Sequence, residues 1–137
     1  MTEAQLKDRV DQYYEALAEL VASPFTAFAD LTPSKLPDEP GVYCITDREG
    51  IVLRAGRTTR QTLRGRLYSN HLMGTQQGNL PWQLVQAGVS DRQNIKNWIR
   101  SNCYCQFITR SRLGQLGVHV NWLEYFVLAI LQPRFCD

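Results

Sequence analysis

The sequence predicts an α+β domain, a short antiparallel sheet with helices on its faces. Three observations lead there: a hairpin pattern between Gly41 and Gly56, helical periodicity before and after it, and a strongly apolar helix near the C-terminus. At 137 residues with 44% hydrophobic content, the chain suffices for one packed core. The expected sheet has three strands, and a further helix precedes it.

Thr2 with Gln5 three residues on reads as a capping box, and Leu6, Val10, Tyr13, Leu17 and Leu20 recur at helical spacing, so a helix is expected to about Ala22. Ser23-Pro24 ends it, and Pro33, Pro37 and Pro40 keep the chain irregular up to Gly41. Residues 1–35 are read as an N-terminal helix and linker, and residues 36–137 as the main domain.

Val42 to Thr46 and Ile51 to Gly56, on either side of Asp47-Arg48-Glu49-Gly50, carry the signature of a β-hairpin. A turn symmetric about Arg48-Glu49 sets Tyr43 directly opposite Arg54, on the same face of the sheet. Leu63, Leu67 and His71 mark a helix that stops near Gly74. Gly65 inside it costs about 1 kcal/mol relative to alanine, which suggests a close approach there. Leu80 to Ala87 is a weaker helix, Ser90 caps another carrying Ile95, Trp98 and Ile99, and Tyr104 to Thr109 is the third strand. Val118 to Leu131 is apolar enough to be largely buried, and Pro133 ends it.

No apolar run approaches membrane-spanning length, and the N-terminus carries acids where a signal peptide needs a basic start, so a cytoplasmic protein is expected. Cys44, Cys103, Cys105 and Cys136 form no C-x-x-C pair, and His71 and His119 are not spaced as zinc ligands, which favours reduced thiols over a structural metal. A net charge of +2 argues only weakly for an anionic partner.

Three features carry chemistry. Arg54, Arg57, Arg60, Arg64 and Arg66 lie within thirteen residues without a carboxylate among them. Guanidinium forks match phosphate oxygens, although a solvated basic helix explains the run equally well. Glu124 is the single charged residue between Leu113 and Pro133. A carboxylate in so apolar a helix needs compensation, either a divalent cation or an arginine in a structural pair. Tyr43 on a strand is ordinarily a packing residue. With cations beside it to stabilise a phenolate, it becomes a usable base.

Taken together, Gly41-Val42-Tyr43, Leu53-Arg54-Ala55-Gly56, Leu63-Arg64-Gly65-Arg66-Leu67 and a helical Glu124 followed by Leu131-Gln132-Pro133 resemble the GIY-YIG endonuclease family over about Leu36 to Asp137. The resemblance implies a small GIY-YIG-like nuclease domain. It implies Tyr43 as the group that deprotonates or positions the attacking water, and Arg66 as the arginine on the scissile phosphate. It makes Glu124 the carboxylate for one magnesium or manganese ion, and sets Arg54 in the catalytic position of the second motif. Arg57 matches a frequently basic position. With Arg60 and Arg64 it is expected to contact nucleic acid, DNA ahead of RNA. His71 lies one residue further from Arg66 than the family's histidine or tyrosine, and is read as a helix-end residue exposed towards that partner.

The sequence departs from the family twice. Arg54 replaces the second-motif tyrosine, and Cys136 falls where many members carry an asparagine. The implied activity is metal-dependent phosphodiester hydrolysis. The alternative is a catalytically degenerate nucleic-acid-binding module, and a third reading is a protein-interaction domain in which Glu124 merely pairs with an arginine. The N-terminal helix has no place in the family core. Packing on the sheet, contact with a protein partner or a second copy, and contact with substrate all stand open for it.

Overall fold

The computed structural model describes residues 1–136. Helix α1 runs from Glu3 to Ala22 and starts as the capping box requires: Gln5 N donates to Thr2 Oγ1 at 3.1 Å and Thr2 N donates to the Gln5 side chain at 2.7 Å. The linker then contributes a two-residue strand, β1 (Thr26–Ala27), followed by two short 3₁₀ turns. Strands β2 (Gly41–Asp47) and β3 (Val52–Arg57) form the hairpin. A π-helical segment (Gly65–Asn70), helices α2 (Leu80–Gln86) and α3 (Ile95–Asn102), strand β4 (Cys103–Thr109), and helices α4 (Arg110–Gln115) and α5 (Val120–Leu131) complete the order.

The sheet is antiparallel with order β1-β4-β2-β3, so it has four strands where three were expected. The extra strand pairs Thr26 with Cys105 and Ala27 with Tyr104 at the sheet edge. Two residues in a proline-rich linker carry no alternation to read.

β2 lies between β4 and β3 and is buried on both sides. Its alternation divides the core: Tyr43 and Ile45 point to one face, Val42 and Cys44 to the other. The first face packs with Leu63, Leu67, Leu80, Leu84 and Ile99, from the π-helical segment, its approach, α2 and α3. The second packs with Ala16, Leu17 and Leu20 of α1, Leu113 of α4, and Val120, Leu123 and Val127 of α5. The domain is thus a helix–sheet–helix sandwich, an α+β fold. Among the described residues no helix is long and apolar enough to cross a membrane.

Several local expectations are corrected. Tyr43 faces Gly56, and Arg54 faces Ile45. The turn is centred on Glu49, which moves the register by one, and Leu53 is an extra residue between the pairs Ile45–Arg54 and Thr46–Val52, a bulge that moves it by one more; together they leave Tyr43 and Arg54 on one face. Ser90 does not cap α3; Asp91 Oδ1 accepts from Asn94 N at 2.8 Å in the turn before it. The apolar C-terminal stretch forms α5 from Val120 to Leu131, close to the expected bounds, whereas α4 (Arg110–Gln115) before it was not anticipated; Gly117, at φ 71°, separates the two helices. Nor is α5 buried all round, because Trp122, Tyr125 and Ile130 are 60%, 54% and 58% exposed. On α1 the expected core residues Leu6 and Val10 are exposed as well, because the first half of the helix runs beyond the sheet.

Candidate active site

The hairpin, the π-helical segment and α5 converge on a cavity of about 150 Å³ at the β3 side of the sheet. Tyr43, Arg54, Arg66 and Glu124, the four candidate catalytic residues, all line it, with Arg57 and Cys136. A larger cleft of about 330 Å³ lies against α2, lined by Pro81, Trp82, Val85 and Arg92 among others. Among the described residues lining it, Arg92 is the one titratable side chain, whereas the smaller cavity gathers a tyrosine, three arginines and a carboxylate, so the chemistry is assigned to the smaller cavity.

Tyr43 is fully buried and its ring lies against Gly56. A Cβ at Gly56 would sit 2.7 Å from the Tyr43 hydroxyl oxygen, so the glycine makes room for the tyrosine. The hydroxyl oxygen lies 2.8 Å from His71 Nε2 and accepts from Arg66 Nε at 3.4 Å. On the far side of the imidazole, Leu80 N donates to His71 Nδ1 at 3.2 Å. A backbone N–H can only donate, so Nδ1 carries a lone pair and the proton of the neutral ring sits on Nε2, pointed at Tyr43. Burial, reinforced by the positive charges of Arg54 and Arg66, holds His71 well below its usual value and keeps it neutral at pH 7. Two N–H donors thus converge on one phenolic oxygen.

The buried position of His71 overturns its reading as an exposed helix-end residue facing nucleic acid: it is 0% exposed. The cause is the π-helical turn. His71 N bonds to Arg66 O at 3.0 Å and Met73 N to Tyr68 O at 3.0 Å, each spanning five residues where an α-helix spans four. That extra residue absorbs the longer offset between Arg66 and His71 and brings the imidazole onto Tyr43. The suggested close approach at Gly65 amounts only to the flexible side chain of Gln61, 3.0 Å from where its Cβ would be.

Arg54 is 3% exposed, and its Nη1 donates to Gly78 O at 2.6 Å and to Gln83 Oε1 at 2.7 Å. It ties the loop before α2 and α2 itself to the sheet while keeping its charge beside Tyr43 and His71. Gln83 had no signal in the sequence beyond its helical position.

Glu124 meets Arg57 twice: Oε1 accepts from Nη1 at 2.8 Å and Oε2 from the backbone N at 2.7 Å. The Arg57 guanidinium also lies 5.7 Å from the ring centroid of Tyr125. The arginine pair weighed for Glu124 is therefore present, and Arg57 is engaged by the protein. Arg64 turns away from the cavity to bond Leu36 O at 3.2 Å, with Asp38 3.9 Å off. Arg60 is exposed on the loop after β3.

Glu124 is the sole carboxylate among the residues lining the cavity, and among the described residues no group of three or more His, Cys, Asp or Glu is placed to hold a metal. Such a donor set does not suit zinc. It fits magnesium or manganese, which bind through one carboxylate and draw their other ligands from substrate oxygens and water; each Glu124 oxygen keeps a second lone pair for the purpose.

Cys44, Cys103 and Cys105 are buried, and burial pushes each thiol up to about 12; Cys136 is exposed at the cavity. The chain matches no protein-family model, no curated protein and no solved structure, so the functional argument rests on these residues and their arrangement.

Proposed function

We propose that this chain is a divalent-metal-dependent endonuclease that hydrolyses phosphodiester bonds in nucleic acid, DNA in the first instance, in the manner of the GIY-YIG family it resembles. One observation carries the proposal. Tyr43, Arg66 and Glu124, far apart in sequence, line a single cavity, and a neutral His71 donates to the tyrosine oxygen.

In this reading Arg66 holds the scissile phosphate, and its guanidinium offsets the charge that builds on the non-bridging oxygens. Tyr43, as phenolate, takes a proton from the attacking water while His71 Nε2–H and Arg66 Nε–H hold its oxygen in place. The water oxygen forms a new bond to phosphorus, the opposite P–O bond breaks in line, and the leaving oxygen is protonated from solvent. Glu124 would hold a magnesium or manganese ion, and the chemistry that ion would supply is Lewis-acid stabilisation of negative charge on the leaving oxygen. Arg54 adds positive charge where the family has a phenol and anchors the wall of the site through Gly78 and Gln83.

One observation favours a second reading, a catalytically degenerate binding module: Arg57 engages both oxygens of Glu124. Cleavage of labelled single-stranded, duplex and branched DNA, with magnesium and with EDTA, decides between them. Cutting should vanish in EDTA, and Tyr43→Phe and Glu124→Gln should each lower it by at least about 100-fold, the scale of a lost acid–base or electrostatic group. Tight, salt-sensitive binding without any cutting would establish the degenerate module instead.

A further inference from the structure

The exposed face of α5 is aromatic, and it leads out of the cavity. Arg57, paired with Glu124 at the cavity wall, lies 5.7 Å from the ring centroid of Tyr125. Tyr125 and Trp122 follow at a ring separation of 6.1 Å, and Trp122 and His119 at another 6.1 Å. Trp122 is 60% and Tyr125 54% exposed. Beyond Trp122 the row continues into a groove of about 290 Å³ where α1 contributes Arg9 and Tyr13. Glu124, the helix's single acid, is turned inward to Arg57, so the row carries no negative charge of its own.

From this we infer that Tyr125 and Trp122 form a stacking track for unpaired bases, so the substrate reaches the cavity as single-stranded nucleic acid or as the unpaired arm of a branched structure. The inference deepens the phosphodiesterase reading and rests on it. Open aromatic faces gain by stacking on bases only when those bases are not already stacked in a duplex, and Arg9 at the groove end of the row suits a backbone passing alongside, while Arg57 is engaged by Glu124. The track also gives α1 a use at the site, as the far wall of the groove.

Binding is measured by anisotropy in EDTA, so that nothing is cut, using fluorescein-labelled oligothymidylate and oligouridylate of roughly 15 nucleotides and a blunt duplex of the same length. Trp122→Ala and Tyr125→Ala should each weaken single-strand binding on the order of 10-fold, and leave duplex binding within about 2-fold. Trp122→Phe, which keeps a stacking face, should restore most of the loss, and the tryptophan fluorescence of the unmodified protein should be quenched on binding while that of Trp122→Phe, left with Trp82 and Trp98, is not. Comparison of the two oligonucleotides assigns the strand to DNA or RNA. Unchanged single-strand affinity in both alanine variants overturns the track; if those variants still cut duplex with magnesium, the nuclease reading survives without it. Equal losses on single strands and duplex also overturn it. So does a change of oligomeric state in sedimentation with unaltered nucleic-acid binding, which would mark the row as a protein interface.

Discussion

His71 is the residue on which the site turns, because it is held from both sides: Leu80 N–H fixes its tautomer and Tyr43 receives its proton. Its acidity carries a stability prediction. The folded chain holds His71 well below 6.5, so the unfolded chain takes up the proton first as pH falls. This contribution to stability is therefore complete above about pH 6.5 and is lost below it, by up to about 1.4 kcal/mol per pH unit for one proton. The thermal midpoint of the wild type should drop more steeply between about pH 7 and pH 5 than that of His71→Gln. Parallel curves would show that another group governs acid unfolding. The thiols yield a second prediction at this scale. With Cys44, Cys103 and Cys105 buried and pushed up to about 12, a maleimide should label Cys136 alone in the native protein and all four thiols after unfolding. Rapid native labelling at a second cysteine would contradict this packing.

At the scale of elements, the hairpin and the π-helical segment treat their glycines differently. A methyl group at Gly56 would meet the Tyr43 hydroxyl at 2.7 Å, and Tyr43 is fully buried with no room to retreat. Gly56→Ala should therefore cost about 1–3 kcal/mol in thermal or urea unfolding, and should displace Tyr43 from His71. At Gly65 the neighbour is the movable end of Gln61, so Gly65→Ala should be neutral or stabilise by up to about 1 kcal/mol. The same two elements separate what was legible in the sequence from what was not. The capping box of α1, the hairpin and β4 were readable, since each has a local pattern. The bulge at Leu53 and the π turn at Gly65–Asn70 were not, because each inserts one residue without any change in composition. Through them, and through a turn centred one half-residue later than expected, Tyr43 was assigned the wrong cross-strand partner and His71 the wrong exposure.

On the scale of the whole molecule, α1 is part of the core behind the site. Ala16, Leu17 and Leu20 pack with Val42, Cys44 and Ala55 of the hairpin and Val120, Leu123 and Val127 of α5. Each buried leucine contributes about 1.5–3 kcal/mol, a large share of the roughly 5–15 kcal/mol that stabilises a typical domain. Removal of residues 1–22 should abolish the cooperative thermal transition seen by circular dichroism. A truncated chain that melts cooperatively near the wild-type temperature would show that α1 is dispensable to the fold. The outer half of the same helix exposes Leu6 and Val10 and borders the aromatic row of α5, so one element serves the core at one end and a surface at the other.

By itself the sequence determined the α+β class, the main helices and strands, and the side chains eligible for chemistry, because amphipathic period, turn residues and an isolated carboxylate in an apolar helix are all local signals. The resemblance to a nuclease family ordered those side chains into roles. Tertiary structure alone decided that Tyr43, Arg54, Arg66 and Glu124 share a cavity, that His71 is buried against Tyr43, that Arg57 claims Glu124, and that α5 turns Trp122 and Tyr125 outward. Those outcomes depend on contacts between residues as far apart as Tyr13 and His119, 106 positions, and on which side of a helix the sheet happens to cover. No window of sequence contains that information.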